Sequence, residues 1–589
     1  MRNHLTDEQR QSRASLDGRV AFAAAAVALG AGLIVLLDRV GVPEGVAIVL
    51  GFVLATLALC FVGLPLRSAR ISTFLAGGRE IPASYAGLAG AACLAALVLI
   101  FLPPFPSGLP LAAIGWGIGG GIAGLMLLSA PVLRKSGSFS VADLLSGRFP
   151  GLAFRLPAVA VVVAVCGMTA LAGFEQAIRV IETVAGGTRL PAALLTGAIL
   201  IAVTVPGGLA GSIWTGAAAA GMAIAGMALP LLVLAGRGAD LPVPFVGNAE
   251  IWSHASERVA DWTQLAANDL GGLWLAVPLA VGLAGFSPLL ATAIGCRSRT
   301  GAQHAQLALT AWLLLILGGL AITFAATALG LDLALAGQRP DRLAESFYRA
   351  SADGWLRICG QFVDGPAPAR AACAALPDFA AVLRPSDYAI EPRFLAFELS
   401  KVRALGGAYS GLAGAGWFAV CVALAAAGLQ GVSTALGNDL IYRVVDSGAI
   451  TSRRLAIARL LLVVSVLGMV MWSVAHSLEP RALVGLALTL SAATVTPLVL
   501  LSLWPRAGRL EATLALLAGL CSVGAVLFAT TAIDAAVRLG MAASAGAAVA
   551  LAAGLIVSLR PRAGLAPGAQ FLDTLLHGAN EALNPDKGA

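Results

Sequence analysis

Apolar stretches of roughly 18 to 25 residues recur along this chain from Val20 to the region of Val557, each long enough to cross a ~30 Å hydrocarbon layer as a helix. So many cannot share one soluble core. Closed barrels also span membranes, but they need polar and apolar residues in alternation, and these stretches are apolar nearly throughout. Only 12% of the residues are charged, against the about 25% usual in soluble domains. The expectation is an all-α polytopic membrane protein, with the lipid bilayer as its solvent.

Spans can be drawn at 20–37, 46–66, 81–102, 109–133, 157–185, 191–205, 211–235, 273–295, 306–331, 406–436, 455–475, 483–504, 512–531 and 540–559, fourteen in all. The basic residues then fall on alternate loops: Arg67, Arg70 and Arg79; Arg134, Lys135, Arg148 and Arg155; Arg297 and Arg299; Arg443, Arg453 and Arg454; Arg506 and Arg509; Arg560 and Arg562. By the positive-inside rule these loops and both termini are cytoplasmic, in a bacterial-type inner membrane. The 19 mostly polar residues before the first span carry both signs and no small-residue cleavage site follows, so that span is expected to remain uncleaved.

The same placement explains the net charge of +7 without nucleic acid, because the basic residues lie in short loops and not on one face. The eight cysteines and five histidines show no metal-binding spacing. Cys359 and Cys373 share one long polar loop and can pair as a disulfide if that loop faces an oxidising compartment. No nucleophile with a base partner, paired-carboxylate constellation or phosphate-binding loop appears, which argues against an enzyme or an ATP-driven pump. The glycine run from Gly115 to Gly121 follows no strand and sits in an apolar span, so it reads as a helix-packing surface.

Two features point toward a polar site. Gly87 and Gly90 punctuate the third span, and Gly282, Gly285 and the step Phe286-Ser287-Pro288 punctuate the eighth, five spans later. Interrupted helices at matching places in two five-helix halves are expected of inverted-repeat transporters, where freed backbone groups line a midplane site; packing glycines are the alternative. Glu175, Gln176 and Arg179 interrupt the fifth span, and Glu175 and Arg179 stand at i,i+4 on one helical face. Charges at membrane depth usually face a cavity or one another. Three readings stay open: a substrate carboxylate held by Arg179, a protonatable Glu175 coupling proton entry, or a self-satisfied pair packing two helices.

A series of local signatures in fixed order resembles the sodium:solute symporter family. Phe74-Leu75-Ala76-Gly77-Gly78-Arg79 resembles its "FLAGR" element, and Ala86-Gly87-Leu88-Ala89 the "NGLA" start of its first core helix. Gly115-Trp116, Ala130 to Lys135, and Phe139-Ser140-Val141-Ala142-Asp143 with Arg148-Phe149 are similar to its "GW…APxLRR…YTxxDxxxxRF" run. Pro206-Gly207-Gly208-Leu209 with Trp214-Thr215 resembles "GGxxxxxWTD", Asn438-Asp439-Leu440 with Arg459 resembles "SHDLY…AR", and Ser491 to Thr494 with Pro497 is similar to the tenth core helix.

The resemblance covers about Val46 to Arg506. It implies a LeuT-like fold of inverted five-helix repeats, 81–235 and 273–505, within a ten-helix core at 81–505. Before the core lie a cytoplasmic segment (1–19) and two helices with a loop (20–80). Two further helices (506–559) and a cytoplasmic tail (560–589) follow it, and the long outer loops are 236–272 and 332–405. It also implies secondary transport of a small organic solute by alternating access, and the Phe139 to Asp143 segment looks nearest to the acetate and short-monocarboxylate permeases. Candidate solute-site residues are Gly87, Gly90, Cys93, Glu175, Gln176, Arg179, Phe286 and Ser287. A coupling cation, Na+ or H+, is the only cofactor-like partner implied.

The departures concern that cation. Where the family commonly has an Asp in its first core helix this chain has Cys93; where it has "WTD" this chain has Gly216 after Thr215; and where a Ser-Thr pair lends hydroxyls to sodium, counting back from Asp439 gives Ala423-Leu424. Ser433-Thr434 lies about ten residues later. The expectation is therefore the family architecture with degenerate sodium ligands, and a transporter-derived sensor or scaffold subunit is the competing reading.

Overall fold

A computed structural model describes residues 7–101, 109–238, 241–243, 249–263, 274–377, 379, 381–391, 394–533, 535–560, 568 and 571–573. The first residues of the N-terminal segment, most of the C-terminal tail and part of the loop at 236–272 lie outside the described residues.

Among the described residues, thirteen helices are long and apolar enough to cross a membrane. In chain order, with two shorter helices included, the elements are α1 (Gly18–Arg39), α2 (Glu44–Leu66), α3 (Ala83–Ile100), α4 (Ala112–Ser136), the short α5 (Val141–Arg148), α6 (Leu152–Ala185), α7 (Arg189–Gly236), the short α8 (Ala249–Thr263), α9 (Trp274–Ile294), α10 (Arg299–Leu335), α11 (Gly407–Val445), α12 (Thr451–Ala475), α13 (Pro480–Ser502), α14 (Arg509–Ala529) and α15 (Val537–Ser558).

The thirteen make fourteen crossings because α7 is two helices. Its 48 residues would run roughly 72 Å if straight, more than twice the hydrocarbon thickness. Pro206 removes a backbone donor, and Gly208 takes φ 56° and ψ −132°, a conformation open to glycine. The chain folds back there: a Cβ on Gly211 would lie 2.5 Å from the Val203 carbonyl oxygen, which a straight helix would hold about 12 Å away along its axis.

α11 forms the centre. Its window of highest hydropathy is wholly buried, and it packs on α2, α3, α6 and α7. Small residues permit the close approach: a Cβ on Gly416 would sit 2.8 Å from the Ala223 Cα, and one on Gly428 2.6 Å from the Cys166 carbonyl oxygen. The start of α3 meets the end of α9, where Ile81 N donates to Gly295 O at 3.1 Å. Arg134 closes this basic end with bonds of 2.5 Å to the carbonyls of Cys296 and Arg297.

On the opposite side a cap is built from both long loops. Residues 332–405 carry the only strands among the described residues, β1 (Leu356–Ile358) and β2 (Tyr388–Ile390), paired antiparallel, and Cys359 is bonded to Cys373. Arg258 of α8 joins the loops. Its buried guanidinium lies 3.5 Å from Asp332 at the end of α10, 5.1 Å from the Trp262 ring centroid and 5.6 Å from that of Tyr388. The Tyr388 hydroxyl donates to Asp332 at 2.7 Å, and burial together with that carboxylate holds the phenol well above its usual range.

Candidate functional site

The expected pair of interrupted helices is found in one member only. α3 is continuous from Ala83. Gly87 and Gly90 face α10: added Cβ atoms would stand 2.5 Å from Ala305 O and 2.6 Å from Leu309 Cδ1. These glycines let two backbones approach, and with no proline beside them the hydrogen-bond ladder runs on. α9 is broken. It is π-wound over Pro278–Gly282, and Phe286 has φ −68° and ψ 103°, outside the helical region, before a new helix begins at Ser287-Pro288.

The break frees carbonyl groups, and hydroxyls from two neighbouring helices take them. Thr496 Oγ1 donates to Val281 O at 2.6 Å, Ser491 Oγ to Gly282 O at 2.7 Å, and Ser129 Oγ to Ala284 O. Ser491 and Thr496 come from α13, which is itself π-wound over Ser491–Val495, and Ser129 comes from the π-turn of α4. Three helices thus depart from regular winding at one level, and their polar groups answer one another. The sequence signal was three hydroxyl residues in otherwise apolar spans, and their partners were not readable from it. Phe286 is fully buried; Ser287 is buried with its hydroxyl unpaired.

Beside the break lies a cavity of about 10 Å³, the room one water needs, lined by Leu94, Leu97, Val98, Ile118, Leu279, Leu283 and Leu488. Its lining offers hydrocarbon and no side-chain donor.

Cys93 faces α11, with its Sγ 3.8 Å from Ala423 O. Ala423 and Leu424 are buried there, and a Cβ on Gly216 would touch Ala89 at 3.0 Å. A hard cation such as Na+ takes oxygen ligands in exchange for its hydration shell. The side chains at this junction are a thiol, a methyl and an isobutyl group, and Gly216 has none, so they do not fit a sodium site of the family type. The Ser433-Thr434 pair is engaged elsewhere: Ser433 Oγ donates to Ala458 O at 2.9 Å and Thr434 Oγ1 to Gln430 O at 2.9 Å.

Glu175 does not pair with Arg179. Its buried carboxylate accepts from Arg189 Nη2 at 2.5 Å and from Ser473 Oγ, while Arg179 reaches Glu479 at 3.3 Å and the Leu478 carbonyl at 2.7 Å. The i,i+4 relation failed because Arg189, at the turn into α7, approaches the same carboxylate from another helix. Gln176 is half-buried on the same turn of α6. Neither Glu175 nor Arg179 lines the α9 break cavity, so the candidate residues divide between two places.

Near the basic end, Asp439 accepts from Ser140 of the α5 cap and from Asn438 Nδ2 at 2.8 Å, and Arg454 holds Asn438 at 2.9 Å. The motif residues Ser140, Asp143, Arg148, Asn438, Asp439 and Arg459 thus serve as joints between inner segments. Arg148 donates to Ser502 O at 3.0 Å and Ala507 O at 2.8 Å; Arg459 donates to Ser68 O at 2.6 Å.

Residues 74–342 match the model of the sodium:solute symporter family. No individual curated protein matches. Among solved structures, a Na+-coupled sialic acid symporter in a substrate-bound outward-open state is similar over 89% of this chain and 99% of that one, at 17% identity and a TM-score of 0.59. A nucleobase-cation-symport-1 family transporter in a closed conformation with bromovinylhydantoin bound covers 86% and 92% of the two chains, at 15% identity and a TM-score of 0.36. The fold is LeuT-like: helical, multi-pass and arranged as in the sialic acid symporter.

Proposed function

We propose that this chain is a secondary transporter that carries a small organic solute across a bacterial inner membrane by alternating access, as a sodium:solute symporter family member. The match of residues 74–342 to that family carries the reading. The broken α9, with polar groups of α4 and α13 gathered on it, is the kind of interrupted helix that builds the midplane site in such a mechanism. A short monocarboxylate such as acetate is the first solute to test, on the resemblance of residues 139–143. The candidate solute contacts nearest the break are Phe286 and Ser287, where an unpaired hydroxyl stands at the N-terminus of the second half of α9.

Cys93, Gly216, Ala423 and Leu424 provide no side-chain oxygen, so a coupling sodium ion would be held by backbone carbonyls, and a proton is the other candidate driving ion. Both termini are assigned to the cytoplasm and the cap to the oxidising side, which the Cys359–Cys373 bond supports. Uptake of labelled acetate and a wider solute panel into proteoliposomes, with sodium and proton gradients imposed separately, tests the reading. The expected result is solute uptake under one of the imposed gradients, which then identifies the coupling ion. No movement of any solute under any gradient would leave the family architecture in a non-transporting sensor or scaffold role.

A further inference from the structure

Glu398 is one of four buried acidic groups among the described residues, with Glu175, Asp439 and Glu511, and unlike Glu175 it has no close-range guanidinium partner. It lies just before the one-turn helix Leu399–Val402, which packs between the cap-side ends of α10 and α11 and is the chain's return from the cap into the membrane. Its side chain is 3% exposed. Oε2 has no hydrogen-bond partner, and Oε1 is 3.8 Å from Lys401 Nζ, too long for a hydrogen bond. The Lys401 ammonium is engaged elsewhere, 3.3 Å from the ring centroid of Trp355, which stacks on Phe394 at 5.4 Å in the cap.

The surroundings do not neutralise a carboxylate. Glu44 at the start of α2 and Asp353 in the cap both act on Glu398 as negative charges. Asp38, at the end of α1, lies against Gly406, and the phenol-bearing Tyr409 packs in the apolar cluster with Leu399 and Leu405. The half-buried Arg403 turns its guanidinium to Gly330 of α10, and its Nε has no hydrogen-bond partner. Around the buried carboxyl there are thus acids on two other elements, Glu44 and Asp353, and its nearest base is directed to a ring.

We propose that Glu398 is a proton-binding site, and that its protonation state governs how firmly the hinge at 394–405 holds the cap on the membrane helices. With the proton on, the carboxyl is neutral and its burial next to Glu44 and Asp353 carries no charge repulsion. With the proton off, the hinge must bury a charge that Lys401 meets only at a distance, and the favourable response is for residues 394–405 to lift toward water. Burial, opposed by Lys401 and reinforced by Glu44 and Asp353, pushes the docked carboxyl up to about 8. The ligand is a proton from the cap side of the membrane, and the assignment does not depend on what the protein transports.

The sign follows from linkage. The docked hinge binds the proton more tightly than an undocked one, whose carboxyl titrates near ~4.3. Docking is therefore firmest at low pH, weakens as pH rises through the interval between the two values, and levels off above about 8. Hydrogen exchange of the full-length protein in nanodiscs, read by mass spectrometry over 394–405 and corrected for intrinsic exchange, measures it. Protection should fall by up to about tenfold per pH unit across that interval, the slope of one linked proton.

E398Q should remove the slope and keep the protection high. D353N and E44Q each delete a repelling charge and should move the levelling-off to lower pH, while K401M should move it higher. These variants keep the proposal testable even if E398Q alters the hinge. Protection that is flat with pH in the unaltered protein, or an unchanged slope in E398Q, would overturn it.

Discussion

Arg189, where the chain enters α7, places Nη2 2.5 Å from the Glu175 carboxylate, and its Nε donates to the Ser473 carbonyl at 2.7 Å. One guanidinium therefore ties α6, α7 and α12 together. Glu175 has no exposed side-chain surface, whereas Glu479, which pairs with Arg179, is 61% exposed.

The two arginines should accordingly differ in weight. Arg189→Gln strands a buried carboxylate and is expected to destabilise the bundle by about 3–5 kcal/mol. Arg179→Gln loosens a solvated pair and should remove no more than about 1 kcal/mol. Thermal unfolding midpoints in one detergent distinguish them: a large drop for R189Q, little change for R179Q, and partial recovery in the E175Q/R189Q double variant. Equal effects would mean that Glu175 is held by its own helix after all.

The glycines separate in the same manner. Gly87→Ala would drive a methyl to 2.5 Å from a carbonyl oxygen of α10, whereas Gly119 has nothing within 4 Å of an added Cβ. G87A should cost about 1–3 kcal/mol through overpacking, and G119A should leave stability unchanged or raise it by up to ~1 kcal/mol. The fraction remaining monodisperse after a heat step checks both. Tolerance at Gly87 would remove the tight α3–α10 contact from the account.

What the sequence made legible follows from which forces are local. Membrane spans are written in one-dimensional hydropathy, and a proline followed by two glycines at 206–208 was enough to divide α7, because backbone permission is a property of the residues themselves. Proline marked the break in α9 for the same reason. Gly87 and Gly90 misled because a glycine that permits close approach and one that permits a bend are identical in sequence, and only the presence of α10 decides between them. Glu175 and Arg179 misled similarly: i,i+4 spacing fixes which side chains share a face, not which charge a neighbouring helix brings. The capping of Val281, Gly282 and Ala284 by Thr496, Ser491 and Ser129 joins residues 155 to 215 positions apart, beyond any local signal.

The cap offers a third prediction. Cys359 and Cys373 are 14 residues apart, and closing a loop of that size stabilises a fold by about 3 kcal/mol. Reduction, or the C359S/C373S variant, should raise hydrogen exchange over 356–375 while leaving α3, α9 and α11 unaltered. Exchange that rises equally in the membrane helices would show that the cap and the bundle unfold as one unit.

The last prediction concerns the break in α9. If Ser491 and Thr496 only fill space, exchanging them for residues of similar volume should be harmless. If they hold the bent helix by satisfying freed carbonyls, Ser491→Ala and Thr496→Val each leave a buried acceptor without its donor, at about 1–3 kcal/mol. Ser433→Ala is the control, since it removes an equally buried hydroxyl, bonded to Ala458 O on α12, away from the break. A penalty falling on one state of a moving helix alters the balance between states and therefore the rate of exchange between them. Solute uptake should change by about tenfold for each 1.4 kcal/mol borne unequally by the two states. The S491A and T496V variants should thus alter uptake strongly, and S433A, with a comparable loss of thermal stability, should not. Equal uptake in all three would make the hydroxyls structural filling.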